Sequence, residues 1–219
     1  FFRRNQQETV PIRFSIATPT TGFSSAVSIS PDGQRLAYTG SVSGGFEPIW
    51  IRSLDSITAQ PLPGTERSLR PFWSRDSRFL GFFADGKLQK VDVQGGPVQT
   101  LCEIASFRGG TWNQEGTILF GAELGGLYRV PHTGGAPMPV TTVDTSRGEI
   151  SHTYPQFLPD GRQFLYFARS TQPENTGIYA ATLDSKETKR VMEERGIAVR
   201  WPSRKMEGGR RKAEGGITI

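Results

Sequence analysis

Short apolar runs recur along this chain, each set behind a polar turn. Leu36-Ala37-Tyr38, Phe79-Leu80-Gly81-Phe82-Phe83, Ile118-Leu119-Phe120 and Phe164-Leu165-Tyr166-Phe167 are the four clearest. The turns before them are Ser30-Pro31-Asp32-Gly33, Ser74-Arg75-Asp76-Ser77, Asn113-Gln114-Glu115-Gly116 and Leu158-Pro159-Asp160-Gly161. Their acidic residues stand at 32, 76, 115 and 160, so the steps are 44, 39 and 45 residues. A period of about 40–45 residues with strand-like content is the mark of a propeller blade.

Each repeat divides into four strands. The pattern predicts them at 26–30, 35–39, 48–54 and 58–62; at 70–74, 79–83, 88–93 and 98–101; at 110–113, 118–121, 127–131 and 138–142; and at 154–158, 163–168, 178–183 and 188–192. In the turn before the second strand, Pro presets φ, Asp bonds the nearby backbone and Gly accepts a positive φ. The second strand is almost continuously apolar, as befits a strand covered on both faces. The third alternates, as in Ile49-Trp50-Ile51-Arg52. Diglycine corners at Gly95-Gly96 and Gly134-Gly135 lead to an outer strand that contains proline, which an edge strand tolerates. The expected fold class is therefore all-β: a β-propeller of four-stranded antiparallel blades over 13–192, with blades at about 23–66, 67–105, 106–149 and 150–192.

Four blades are few for a closed ring. Arg13-Phe14-Ser15-Ile16-Ala17-Thr18 reads as a lone strand ahead of the first blade, the kind that completes the last blade of a larger ring. The chain is thus expected to be an opened part of such a ring, with an apolar blade face bare at each end; the alternative is a self-contained four-blade ring. Residues 1–12 are expected to be a leader or juxtamembrane stub. From Val191 the rhythm stops, and 193–219 is expected to be a basic tail, disordered or out of frame.

Composition refines this only where it can be located. Gly 26 and Pro 15 suit a protein of many turns. The net charge of +5 suggests nucleic acid until it is divided: Val191 onward carries 7 Lys/Arg against 4 Asp/Glu, leaving 19 against 17 for the rest. The blades are close to neutral, so no nucleic-acid partner is expected. Cys102 is the only cysteine and lies in an apolar stretch, where a small buried thiol is expected. No window holds 18 apolar residues, so any membrane attachment would have to come from a segment upstream of Phe1.

The Ser-Pro-Asp-Gly turn and its apolar strand resemble the WD-like repeats of TolB-type β-propellers over about residues 23–192. The front narrows the likeness. Val10-Pro11-Ile12-Arg13-Phe14-Ser15-Ile16, followed by a blade ending in Ile49-Trp50-Ile51-Arg52-Ser53-Leu54-Asp55, is similar to the carboxy-terminal propeller of bacterial receptor-type serine/threonine kinases. That resemblance implies a membrane helix upstream, with Phe1-Phe2 its last trace, and a place on the extracytoplasmic or periplasmic side. The kinase itself is missing from these residues: there is no Gly-rich loop, His-Arg-Asp or Asp-Phe-Gly. The resemblance implies a non-catalytic module that binds a protein or peptide. Two other contexts stay open, a free periplasmic TolB-like protein and the gating propeller of a prolyl-oligopeptidase-like hydrolase.

Little chemistry competes with that reading, and no cofactor is expected. Gly81-Phe82-Phe83-Ala84-Asp85-Gly86-Lys87-Leu88 lacks the hydroxyl residue after Lys that a phosphate loop needs, and Asp85-Gly86 suits a hairpin turn. His132 and His152 are the only histidines, too few for a metal cluster. The one candidate constellation is Arg70, Arg108 and His152, which stand 6, 7 and 8 residues before the acidic turn residue of their repeats. They are expected to ring one mouth of the central channel and attract an acidic peptide.

Overall fold

The computed structural model describes residues 26–42 and 45–192. The expectations for a strand at 13–18, for the leader and for the tail from 193 lie outside the described residues. Among the described residues, sixteen strands form four antiparallel sheets, each following chain order from its innermost strand outward. The first sheet is β1 (Ala26–Ile29), β2 (Arg35–Val42), β3 (Gly45–Ser53) and β4 (Ala59–Pro61). The second is β5 (Leu69–Trp73), β6 (Phe79–Ala84), β7 (Lys87–Asp92) and β8 (Gln99–Glu103). The third is β9 (Gly110–Trp112), β10 (Thr117–Gly121), β11 (Leu127–Pro131) and β12 (Met138–Pro139). The fourth is β13 (Glu149–Phe157), β14 (Gln163–Ser170), β15 (Gly177–Thr182) and β16 (Thr188–Met192). Inner strands of successive sheets adjoin, β1 to β5, β5 to β9 and β9 to β13. These are propeller blades set side by side around an axis.

Besides β2 and β3, which each extend three residues further than expected toward their shared hairpin, two elements depart from the periodic reading. The fourth inner strand begins at Glu149 rather than 154, because a bulge between Thr153 and Gln156 lets pairing with β14 resume after an irregular step. The outer strand of the third blade stops at Pro139 rather than 142, and Thr145–Arg147 form a 3₁₀ turn instead. Asp144 caps that turn with its carboxylate on the Ser146 N–H.

Three apolar seams join the blades. Between the first and second, Ala37 and Ile49 meet Trp73, Leu80 and Phe82. Between the second and third, Phe72, Leu88 and Cys102 meet Ile118 and Phe120. Between the third and fourth, Leu119 and Leu127 meet Phe164, Tyr166 and Tyr179. The middle strands are apolar on both faces because each face meets a different neighbour. Leu80 and Phe82 close the first seam, while Phe79 and Phe83 pack into the second. Burying one such side chain contributes about 1.5–3 kcal/mol. Glycine matters where backbones cross a seam: a Cβ on Gly121 would stand 2.8 Å from the His152 carbonyl.

The outermost faces differ. On β1, Val27 and Ile29 are 55% and 45% exposed, although they pair with the buried Tyr38 and Leu36. On the far face of the fourth blade Leu165 and Phe167 are only half-buried.

Candidate functional site

The two ends of the inner strands are built differently. One end carries the four repeated turns. Ser30 Oγ donates to Asp32 Oδ1 (2.5 Å) and accepts the Arg35 N–H (2.9 Å). Ser74 repeats this with Asp76 and the Phe79 N–H. In the third turn Asn113 Oδ1 takes the Glu115 and Thr117 N–H groups, and in the fourth Asp160 takes those of Arg162 and Gln163. Gly33, Gly116 and Gly161 sit at positive φ; in the second turn Ser77 holds that place at φ 61°.

The opposite end carries the interblade loops, and here backbone strain replaces regularity. Arg70 (φ 52°) and Tyr154 (φ 51°) both occupy the left-handed region, each inside a bulge of an inner strand. Such a conformation costs a non-glycine residue about 1–3 kcal/mol and persists only where the surroundings hold it. Both stand four residues before the first residue of their repeat's turn, and in the third blade Gly109 (φ 88°) holds the matching place. A Cβ on Gly109 would lie 2.9 Å from Tyr154 Cδ1, so only glycine leaves room for that ring. The Tyr154 N–H donates to the Arg108 carbonyl (2.7 Å), and its ring lies 5.2 Å beneath the Arg70 guanidinium. Tyr154 thus reaches across the third blade and ties Arg70 to Arg108.

Arg108 pairs with Glu123, whose other oxygen lies 3.9 Å from Arg169. Two guanidiniums, those of Arg108 and Arg169, therefore flank the Glu123 carboxylate, and Arg70 is joined to them through Tyr154. Beside them a cavity of about 430 Å³ opens between the second and third blades. Its walls include Ile104, Phe120, Tyr128 and Pro137, with Glu103 and Glu123 on the polar side. Leu124 stands at its lip, 64% exposed.

His152 does not join this mouth. Its residue is 1% exposed, turned into the fourth blade beneath Tyr166 with ring centroids 4.7 Å apart. Thr141 Oγ1 accepts the Leu127 N–H and so directs its own proton to His152 Nδ1 (2.7 Å). That leaves Nε2–H to donate to Glu149 Oε2 (3.0 Å), the oxygen that also takes the Asp144 N–H. Burial pushes the imidazole below its ordinary pKa, and Glu149 opposes this in part. His152 stands apart from Arg70 and Arg108 because β13 starts early and its bulge brings Tyr154, not His152, to Arg108. Tyr154 was the residue to find: it precedes Pro155 as Arg70 precedes Pro71, a repeat visible in the sequence.

Other sequence candidates sit in structural roles. Cys102 is buried in the second seam, where burial pushes its thiol up to about 11. Asp85 (φ 49°) and Gly86 (φ 76°) form the two-residue hairpin between β6 and β7. His132 stacks on Trp112. Among the described residues no three His, Cys, Asp or Glu side chains group to hold a metal ion.

No family model matches the sequence, and no curated protein matches it. Solved structures do resemble it. TolB from Acinetobacter baumannii superposes with a TM-score of 0.63 at 13% identity, over 75% of this chain and 42% of that one. The putative TolB from Agrobacterium tumefaciens gives 0.62 at 17%, over 78% and 67%. The β-propeller domain of Swd1 from Myceliophteria thermophila gives 0.56 at 17%, over 78% and 56%. The chain spans less than half the length of the first of these. At such identities the likeness speaks for the fold alone. Sheets, seams and neighbours agree that this chain folds as four-stranded blades of a β-propeller.

Proposed function

We propose that this chain is a non-catalytic binding module whose loop end docks an acidic segment of a protein or peptide partner. The observation that carries this is the strained Arg70–Tyr154 bridge beside Arg108 and Arg169. Strain held by its surroundings, next to clustered guanidiniums and an open apolar cavity, suits recognition better than folding. The guanidiniums supply charge-assisted bonds to Asp or Glu side chains. The cavity behind Leu124 takes a neighbouring apolar residue, and a rigid blade scaffold keeps both in place. The finer context is the sensor part of a bacterial receptor-type serine/threonine kinase, which rests on the sequence resemblance at Val10–Ile16 and Ile49–Asp55. An upstream kinase and membrane helix in the same reading frame would support it.

The test is a peptide array of Asp- and Glu-rich sequences probed with the full chain. The wild type should select acidic peptides that carry an adjacent apolar residue, and the R70E/R108E variant should lose that selection. Equal selection by both proteins would remove this site.

A further inference from the structure

The turn end holds a second feature that the docking reading leaves unused. Neighbouring turns are hooked together at two of the three seams. At the first, the Asp32 N–H donates to Ser77 Oγ (3.1 Å), and the Arg35 guanidinium crosses the seam. Arg35 Nη2 donates to the Ser77 carbonyl (2.8 Å), lies 3.5 Å from Asp32 Oδ2, and its Cζ stands 5.5 Å from the Trp73 ring. At the third seam, Asn113 Nδ2 donates to the Gly161 carbonyl (2.8 Å). At the second seam no hydrogen bond joins the two turns among the described residues. A cavity of about 340 Å³ separates them instead, the size of a small ligand site.

The walls of that cavity repeat the first seam with one exchange. Trp112 stands where Trp73 does, directly before the turn, and Asp76 stands where Asp32 does. The residue matching Arg35 is Phe79: both N–H groups bond the first serine of their turn, and both carbonyls accept that serine's N–H. Phe79 stacks on Trp112 with centroids 6.1 Å apart, as Arg35 lies over Trp73. The seam keeps the carboxylate and the indole but has lost the guanidinium. Glu115, which stands where Asp76 does at the first seam, also lines the cavity, and its carboxylate has no hydrogen bond or ion pair among the described residues. The Trp112 Nε1–H has no acceptor among the described residues and is reached by solvent, whereas Trp73 Nε1 donates to the Ser28 carbonyl (3.1 Å). Of the nearby cations, Arg78 pairs with Asp92 and lies over Phe79 with Lys90, while Arg75 lines the cavity without an ion pair among the described residues.

We infer that this cavity between the second and third turns binds an arginine side chain of a partner, which supplies from outside the guanidinium that Arg35 supplies at the first seam. The planar cation donates to Asp76 and Glu115 and lies along the aromatic wall of Trp112 and His132. A peptide carbonyl beside it takes the free indole N–H. The site is at the opposite end of the blades from the proposed acidic-segment site, so either can fail without the other.

The test follows the Trp112 indole N–H resonance of the full chain, assigned with W112F, during titration with N-acetyl-arginine methylamide. The citrulline analogue serves as the uncharged isostere. Arginine should shift the resonance saturably and citrulline at least tenfold more weakly. D76N/E115Q, which removes both negative charges while keeping the side-chain shapes and the Asp76 Oδ1 acceptor of the turn, should weaken arginine binding at least tenfold. F79R should abolish it by rebuilding the Arg35 arrangement, with the remaining indole resonances reporting an intact fold. An unmoved Trp112 resonance, an equal response to citrulline, or unchanged binding by D76N/E115Q would overturn the inference.

Discussion

The two ends of these blades solve opposite problems. At the turn end, the first, second and fourth turns repeat one local device, an acid that folds back on its own backbone, and the third uses Asn113 for the same purpose. At the loop end nothing repeats in the same way. Arg70, Gly109 and Tyr154 share a positive φ at one place in the repeat but carry an arginine side chain, none and a tyrosine ring, and these differences create the Arg70–Tyr154–Arg108 contact. Regularity therefore marks the scaffold, and its breakdown marks where binding chemistry can be mounted.

The largest effect should come from closing the backbone approach beneath the loop end. Gly121→Val places a branched side chain against the His152 carbonyl and Thr153 Cα, both main-chain atoms that cannot yield. A loss of about 3 kcal/mol is expected in urea unfolding. An unchanged midpoint would mean the seam is looser than described.

At the turn end, Ser74→Ala removes a buried hydroxyl that serves both Asp76 and the Phe79 N–H, and should cost about 1–2 kcal/mol. Asp160→Ala, at an exposed turn, should cost less than about 1 kcal/mol by the same measurement. The two substitutions are thus predicted to differ because the Ser74 hydroxyl is buried and the Asp160 carboxylate is exposed.

A pH titration separates His152 from the mouth it was expected to join. Its folded pKa is depressed, so the unfolded chain binds the proton more readily. Stability should be fully present above about pH 6.5, the unfolded value, and should fall as acid approaches the folded pKa. H152Q should flatten that slope between pH 7.5 and 5.5. A wild-type curve equally flat there would contradict the buried Thr141–His152–Glu149 network. The smallest change in stability belongs to Arg70→Ala, within about 1 kcal/mol, since it removes one half-exposed cation–π contact.

The sequence showed the blades but not the mouth, for a physical reason. Turns such as Ser30–Gly33 are local: their residue types answer to φ angles and to bonds two or three residues away, so they survive as a periodic motif. The site depends on contacts 45 or more residues apart, Arg70 on Tyr154 and Tyr154 on Arg108 among them, and on two bulges that shift register. Counting back from the acidic turn residue assumed an even strand. It placed Arg70 and Arg108 at the loop end and sent His152 to the wrong face. The shared Arg70-Pro71 and Tyr154-Pro155 steps were the available clue, because a residue before proline is itself restricted in conformation.

The most direct test sets the two ends against each other. An acidic peptide chosen from the array would be titrated by fluorescence polarisation against wild type, R70A, R108A and R75A, the last at the turn end. The account predicts at least a tenfold loss of affinity for R70A and R108A, with R75A unchanged. Equal losses at both ends, or none at Arg70 and Arg108, would contradict the assignment of binding to the loop end.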